Sequence, residues 1–99
     1  MYMAPEQLTD AKRADRRADI YALGTVLFEC LSGKPPFDAP DMPTLAAEVM
    51  FKAPRDAEAT RGSAIPPGLL AIVKRCMQKR PQDRYADASA VGAALAALG

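Results

Sequence analysis

Hydrophobic side chains recur at helical spacing along most of this chain, and no segment has a pattern typical of a strand. The densest apolar run is Ala18 to Leu31, where apolar residues occupy nearly every face of a helix. A helix that is apolar all round is a buried one. Ser32-Gly33 is expected to end it, because glycine readily takes the left-handed conformation that closes helices. The pattern predicts a mainly α protein with no substantial sheet.

The other elements follow from the same spacing and from their candidate caps. Before the apolar run, the pattern predicts a short helix or turn over Tyr2–Leu8 with Pro5 near its start, and then a polar loop over Thr9–Arg17. After the run it predicts a helix over Thr44–Phe51 with Thr44 as N-cap and a loop over Lys52–Pro67. An amphipathic helix over Gly68–Lys79, stopped by Pro81, and a last helix over Asp87–Leu98 with Asp87 as cap complete the chain.

The amino-acid composition excludes some classes of protein but does not indicate a function. The 99 residues are 49% apolar, enough for one small domain, and the net charge is +1. That balance favours neither nucleic acid nor a membrane surface as partner. The longest apolar run contains Asp19 and Glu29 and is too short to cross a bilayer. Cys30 and Cys76 fit neither a zinc motif nor a disulfide framework, so we expect two buried thiols, no metal site, and a cytoplasmic protein without a leader at Met1.

Three separated motifs make the chain recognisable. They are Tyr2-Met3-Ala4-Pro5-Glu6-Gln7, then Asp19-Ile20-Tyr21-Ala22-Leu23-Gly24 running on to Phe28-Glu29 and Leu31-Ser32-Gly33-Lys34-Pro35-Pro36-Phe37, and finally Arg80-Pro81-Gln82-Asp83-Arg84-Tyr85. In this order and at these separations they resemble the Ser/Thr protein kinases, most closely the bacterial ones. The tripeptide A-P-E is a weak signal alone but a strong one when the two later motifs follow it.

The resemblance covers residues 1–99 and implies part of a kinase domain, from the end of the activation segment to the last helix of the large lobe. It implies that Glu6 and Arg84 meet as a buried ion pair, for which the planar fork of arginine is well suited. It also implies that Asp19 anchors the backbone of the catalytic loop. Without the resemblance, Glu6 and Arg84 would be read as solvated charges and Asp19 as an acid in the first turn of a helix.

Other family positions carry weaker expectations. Tyr2 and Met3 align with the wall that receives the substrate residue after the phosphorylated one, although packing would explain them equally well. Glu29 matches a position that meets substrate arginine in some kinases, and glutamate is also common in helices. Val26 and Cys30 match the helix face that supports the spine of side chains beneath the adenine pocket.

Several motifs that phosphoryl transfer requires are absent. The sequence has no G-x-G-x-x-G loop, no V-A-I-K-like strand, no histidine and no asparagine, so neither H-R-D-x-x-x-x-N nor its metal-binding asparagine can occur. We therefore expect no catalytic residue here, no bound cofactor and no activity of the chain alone. The resemblance implies ATP and magnesium for a complete kinase, a Ser/Thr-containing protein substrate, and a missing N-terminal half that includes the small lobe and the catalytic loop.

Two other interpretations stay open. The chain could be a stand-alone helical binding module that uses a kinase-derived surface around Met3, Glu29 and the Thr44–Phe51 helix. It could also be an unrelated all-α protein in which the three motifs occur by chance.

Overall fold

The computed structural model describes residues 3–9 and 15–98. The prediction of a mainly α fold is confirmed, because those residues form helices and loops and no strand. The helices are α1 (Pro5–Thr9), α2 (Arg16–Ser32), α3 (Met42–Phe51), α4 (Ala57–Arg61), α5 (Pro67–Cys76) and α6 (Ala88–Ala96), with a 3₁₀ turn at Pro81–Asp83 between the last two.

Helix α2 is the central element, and both of its ends are capped. The carboxylate of Asp15 accepts hydrogen bonds from the amides of Arg17 (3.0 Å) and Ala18 (3.1 Å), so the helix begins two residues before the predicted Ala18. At the other end Gly33 has φ 84°, and its amide donates to the carbonyl of Glu29 at 2.8 Å. The predicted glycine stop is confirmed.

Three further predictions about the elements were wrong. Asp41, not Thr44, caps α3 and accepts a hydrogen bond from the Thr44 amide at 2.8 Å, with a proline in the first turn. The predicted loop over 52–67 contains α4, capped by Asp56 and closed by Gly62 at φ 80°. Helix α5 ends at Cys76 rather than at residue 79. The predicted cap of the last helix is confirmed, because the Asp87 carboxylate accepts from the Ala90 amide at 2.9 Å.

The core forms where α2 packs against α5 and α4, while α1 packs against α3 and α6 against α5. Tyr21, Phe28 and Val73 lie in the main cluster. Close approach of α2 and α5 depends on Gly24, since a Cβ there would lie 2.7 Å from Cβ of Cys76 and 2.8 Å from Cγ of Met77. These packed helices hold one side of α2, and they leave another side uncovered.

Two predictions about burial in α2 were wrong, because the described residues leave one side of this helix uncovered. Leu23 and Val26 are 37% and 42% exposed, although an all-apolar helix was predicted to be buried. Cys30 is exposed, whereas Cys76 is buried as expected. Neither cysteine is disulfide-bonded. The described helices are too few to surround α2, so its apolar outer side faces solvent.

Candidate functional site: an anchored ion pair and an open helix face

The structure brings Glu6 and Arg84 together across 78 residues of chain. Nη1 and Nη2 of Arg84 each donate to one carboxylate oxygen of Glu6 at 2.8 Å. The Arg84 side chain is 0% exposed and that of Glu6 is 6% exposed. Two parallel, charge-assisted hydrogen bonds in a buried setting form a fork-to-fork pair that fixes geometry as well as charge.

Arg84 also gathers the ends of several elements. Its Nε donates to the carbonyl of Gln78 at 2.8 Å, Nη1 to that of Arg17 at 2.9 Å, and Nη2 to that of Lys79 at 3.2 Å. All five of the hydrogen-bonding positions of a guanidinium are therefore used. One side chain ties α1, the start of α2 and the segment after α5 to each other.

The aromatic ring of Tyr21 lies beneath this pair, with Cζ of Arg84 4.9 Å from the ring centroid. Burial, which is only partly offset by the charge of Arg84, raises the pKa of Tyr21 to about 12. The Tyr21 hydroxyl is buried and has no hydrogen-bond partner among the described residues. For Glu6, burial alone would raise the pKa, but the hydrogen bonds and the charge of Arg84 bring it below the ordinary value of 4.5. The carboxylate is therefore ionised at neutral pH.

Asp19 lies in the first turn of α2 and is exposed. No side chain or loop amide within 3–9 or 15–98 donates a hydrogen bond to its carboxylate, and the amide of Asp19 itself donates to Asp15 O at 3.2 Å. The loop contact that the resemblance implies for Asp19 is thus not made by the described part of the chain.

Asp19 shares one face of α2 with Leu23, Val26 and Cys30, since steps of four, three and four residues return to the same side of a helix. All four are exposed. We call this row the open face of α2. It carries a carboxylate at one end and apolar or thiol groups along the rest.

The residues that the resemblance assigns to substrate binding do not belong to this row. Met3 is 39% exposed and lies beside α1, while Glu29 is half-buried in the last turns of α2. Tyr2 lies outside the described residues.

Sequence reasoning missed Lys79. Its Nζ donates to the carbonyl of Val49 at 2.6 Å and lies 4.4 Å from the ring centroid of Phe37. Burial, and then the charge of Arg84, lower the pKa of Lys79 to about 8. Its place next to the Arg80-Pro81 motif was the available signal, but nothing in the sequence indicates which carbonyl or ring it would contact.

Chemically, the described arrangement can anchor elements of the fold and offers an exposed surface for docking. Among residues 3–9 and 15–98 there is no group of three or more His, Cys, Asp or Glu side chains that could hold a metal ion. In the same residues no helix is long and apolar enough to cross a membrane.

Comparison with known proteins identifies the family to which the chain belongs. The family model for the protein kinase domain matches residues 1–94. The chain belongs to the protein kinase domain family. The buried Glu6–Arg84 pair therefore joins the A-P-E segment of a kinase domain to the loop that precedes its last helix.

Ser/Thr protein kinases from mycobacteria are among the curated relatives of this kinase-family chain. It is 40% identical over 93 residues to serine/threonine-protein kinase PknE of Mycobacterium tuberculosis, covering 94% of this chain and 16% of PknE. It is 44% identical over 88 residues to PknH of Mycobacterium bovis (88% of this chain, 14% of PknH) and 42% identical over 88 residues to PknD of M. tuberculosis (88% and 13%). The chain thus spans less than a fifth of each of these relatives.

Proposed function

We propose that this chain is part of a Ser/Thr protein kinase that transfers the γ-phosphoryl group of ATP to protein serine or threonine. Within that kinase, the chain supplies the scaffold of the large lobe and part of the substrate-docking surface. Its catalytic groups would come from a segment that covers the open face of α2. The observation that carries this proposal is the open face itself, an exposed Asp19 in line with exposed Leu23 and Val26 on the central helix.

The physical argument starts from the composition of that face. A central helix normally buries its apolar side chains, and burial of apolar surface is worth roughly 25 cal/mol per Å². Asp19 adds an acceptor that can bind backbone amides of an incoming loop. An apolar row that ends in a free carboxylate fits a segment that brings both apolar side chains and unpaired amides. In the kinase family the catalytic loop and the helix before it are such a segment.

The cofactor follows from the family and not from the described residues. Protein kinases use ATP and magnesium, with a glycine-rich loop, a strand lysine and two metal-binding side chains. The residues present here do not fit that group, because the sequence lacks those motifs and the described part holds no cluster of metal ligands. No step of the reaction is assigned to this chain.

Substrate docking is proposed for Tyr2, Met3 and Glu29. The exposed thioether of Met3 offers an apolar contact next to the A-P-E segment. Glu29 offers a negative charge that would favour a basic substrate. We further propose that the kinase region acts in the cytoplasm, which the two free thiols support.

A chimeric kinase tests this proposal. The part of PknE that precedes the matched region is joined to this chain, and transfer of labelled phosphate from Mg-ATP to myelin basic protein is measured. We expect activity in the chimera and none from the 99-residue chain alone. Asp19→Ala should lower kcat of the chimera at least tenfold, whereas Asp38→Ala, which removes an exposed carboxylate away from α2, should not. An inactive but folded chimera, or equal effects of the two variants, would contradict the proposal.

One observation favours the second candidate, a non-catalytic binding module. Helix α3 exposes Phe51 (81%) and Met42 (62%), and α1, which follows Met3, packs against α3. Exposed apolar side chains mark an interaction surface when they form a contiguous patch. A chain that is monomeric and cooperatively folded alone, and whose chimera is inactive, would favour this module over the kinase scaffold.

A further inference from the structure

A cavity of about 510 Å³ lies between α2, the loop over 53–56, α4 and α5, on a different side of α2 from the open face. Its apolar lining comes from Phe28, Leu70, Val73 and Met77. Phe28, Val73 and Met77 are at most 4% exposed and belong to the main core cluster. The volume is within the range of sites that hold small organic molecules.

Two cations at this cavity have no counter-ion among the described residues. Nε of Arg55 is buried and has no hydrogen-bond partner in the described part of the chain, and no carboxylate there lies within ion-pair distance of Arg55. Lys79 donates to a backbone carbonyl and faces an aromatic ring, and no described carboxylate pairs with it either. A buried unpaired donor is costly, so it is normally matched by an acceptor.

The acidic residues at the rim are already engaged. The Asp56 carboxylate accepts from the amides of Glu58 and Ala59 at 3.0 and 3.1 Å, and Glu58 accepts from the amide of Ile65 at 3.0 Å. With Lys74 also lining the cavity, its charged groups are three basic and two acidic side chains. The positive excess therefore lies on side chains that form no ion pair with a carboxylate of the described residues.

We propose that this cavity binds a small organic carboxylate with an apolar body. The apolar lining buries the body, and the carboxylate accepts from the guanidinium of Arg55 with Lys79 as the second cation. A neutral ligand of the same shape would fill the cavity but leave Nε of Arg55 unmatched, so charge complementarity selects the anion over its neutral isostere.

The probes are 2-naphthoate and its neutral isostere 2-naphthamide, each titrated into the ¹⁵N-labelled chain while amide shifts are followed by NMR. We expect naphthoate to bind about tenfold more tightly, the ratio that one charge-assisted hydrogen bond gives. Its largest shifts should map to Val73, Met77 and their neighbours. Equal affinity of the two probes, or shifts that map to Leu23 and Val26, would overturn the proposal.

Variants of Arg55 give the second arm. Arg55→Met should remove the preference for naphthoate and Arg55→Lys should keep most of it, while Arg61→Met, an exposed control outside the lining, should leave it unchanged. The backbone bond from Arg55 N to Pro36 O at 3.1 Å survives each Arg55 variant. A loss in Arg61→Met as large as in Arg55→Met would contradict the proposal. If Arg55→Met unfolds, Arg55→Lys and the naphthoate-to-naphthamide ratio decide, and none of these measurements depends on kinase activity.

Discussion

Arg84→Ala should destabilise the chain far more than Arg80→Ala. Removing Arg84 takes the guanidinium away from the Glu6 carboxylate, which is 6% exposed, and it leaves three backbone carbonyls without the donors they now have. Breaking a buried ion pair by removing one partner costs about 3–5 kcal/mol. That is a large part of the 5–15 kcal/mol by which domains are typically stable.

Arg80 is the matched control because it comes from the same motif and also faces a carboxylate. Its Nε lies 3.9 Å from Asp83, with side chains 70% and 47% exposed. Exposed pairs of this kind contribute about 0.2–1 kcal/mol, so Arg80→Ala should lower the free energy of unfolding by roughly 1 kcal/mol or less. The expected gap between the two variants is therefore at least about 2 kcal/mol.

The assay is urea unfolding followed by far-UV circular dichroism at pH 7. If Arg84→Ala is unfolded without urea, a fixed concentration of TMAO brings all variants into range, since osmolytes strengthen burial. A double-mutant cycle with Glu6→Ala separates the pair energy from the lost carbonyl contacts, and we expect the two changes to be strongly non-additive. Equal midpoint shifts for Arg84→Ala and Arg80→Ala, or additive effects of Glu6→Ala and Arg84→Ala, would refute the reasoning.

Three further predictions concern the packing of α2. Gly24→Ala should destabilise the fold by about 1–3 kcal/mol, because the new Cβ would lie 2.7 Å from Cβ of Cys76. Gly92→Ala in α6, whose Cβ would meet nothing within 4 Å, should instead stabilise the fold by up to about 1 kcal/mol. Thermal melts measure both variants, and a gain in stability for Gly24→Ala would contradict the close packing of α2 against α5. Tyr21→Phe should leave stability unchanged or raise it, because the buried hydroxyl has no described partner, and a loss above about 1 kcal/mol in urea unfolding would contradict that. Burial raises the pKa of Cys76 from 9.0 to about 11, so the stability that its neutral thiol contributes is complete below pH 9 and is lost as pH rises to 11. The difference in stability between wild type and Cys76→Ala should therefore shrink by on the order of 2 kcal/mol over that range, and a constant difference would count against the prediction. Lys79, whose pKa is lowered to about 8, affects both proteins alike.

Much of the helical layout could be predicted from the sequence because its signals are local. The apolar run after Asp19, the left-handed glycine at Gly33 and the cap at Asp87 each act within a few residues. The start of α3 was missed because aspartate and threonine both cap helices, and Asp41, three residues before the predicted Thr44, is the residue that caps α3. Helix α4 was missed although it has a complete local signature, an aspartate before it and Gly62 after it, because its five residues carry little periodicity.

The candidate site was predictable only through the family motifs. Spacing alone cannot relate Glu6 to Arg84, which are separated by most of the chain. The contacts of Lys79 and the orphaned Nε of Arg55 depend on how loops pack in three dimensions, and no motif marks them. Exposure of Cys30 is likewise a property of what surrounds α2 and not of the apolar pattern in α2 itself.

Thiol labelling tests most directly the central claim that a preceding segment covers the open face of α2. One cysteine reports on the exposure of that face, and the other reports on unfolding of the core. Cys30 lies on the open face and Cys76 is buried in the core. In the 99-residue chain, a maleimide should label Cys30 rapidly and Cys76 only on unfolding, as mapped by mass spectrometry of peptides. In the PknE chimera, the upstream segment should cover the open face and slow Cys30 labelling at least tenfold, with Cys76 unchanged. Labelling of Cys30 at the same rate in both proteins, with the chimera folded, would contradict the account of α2 as a platform for the catalytic segment.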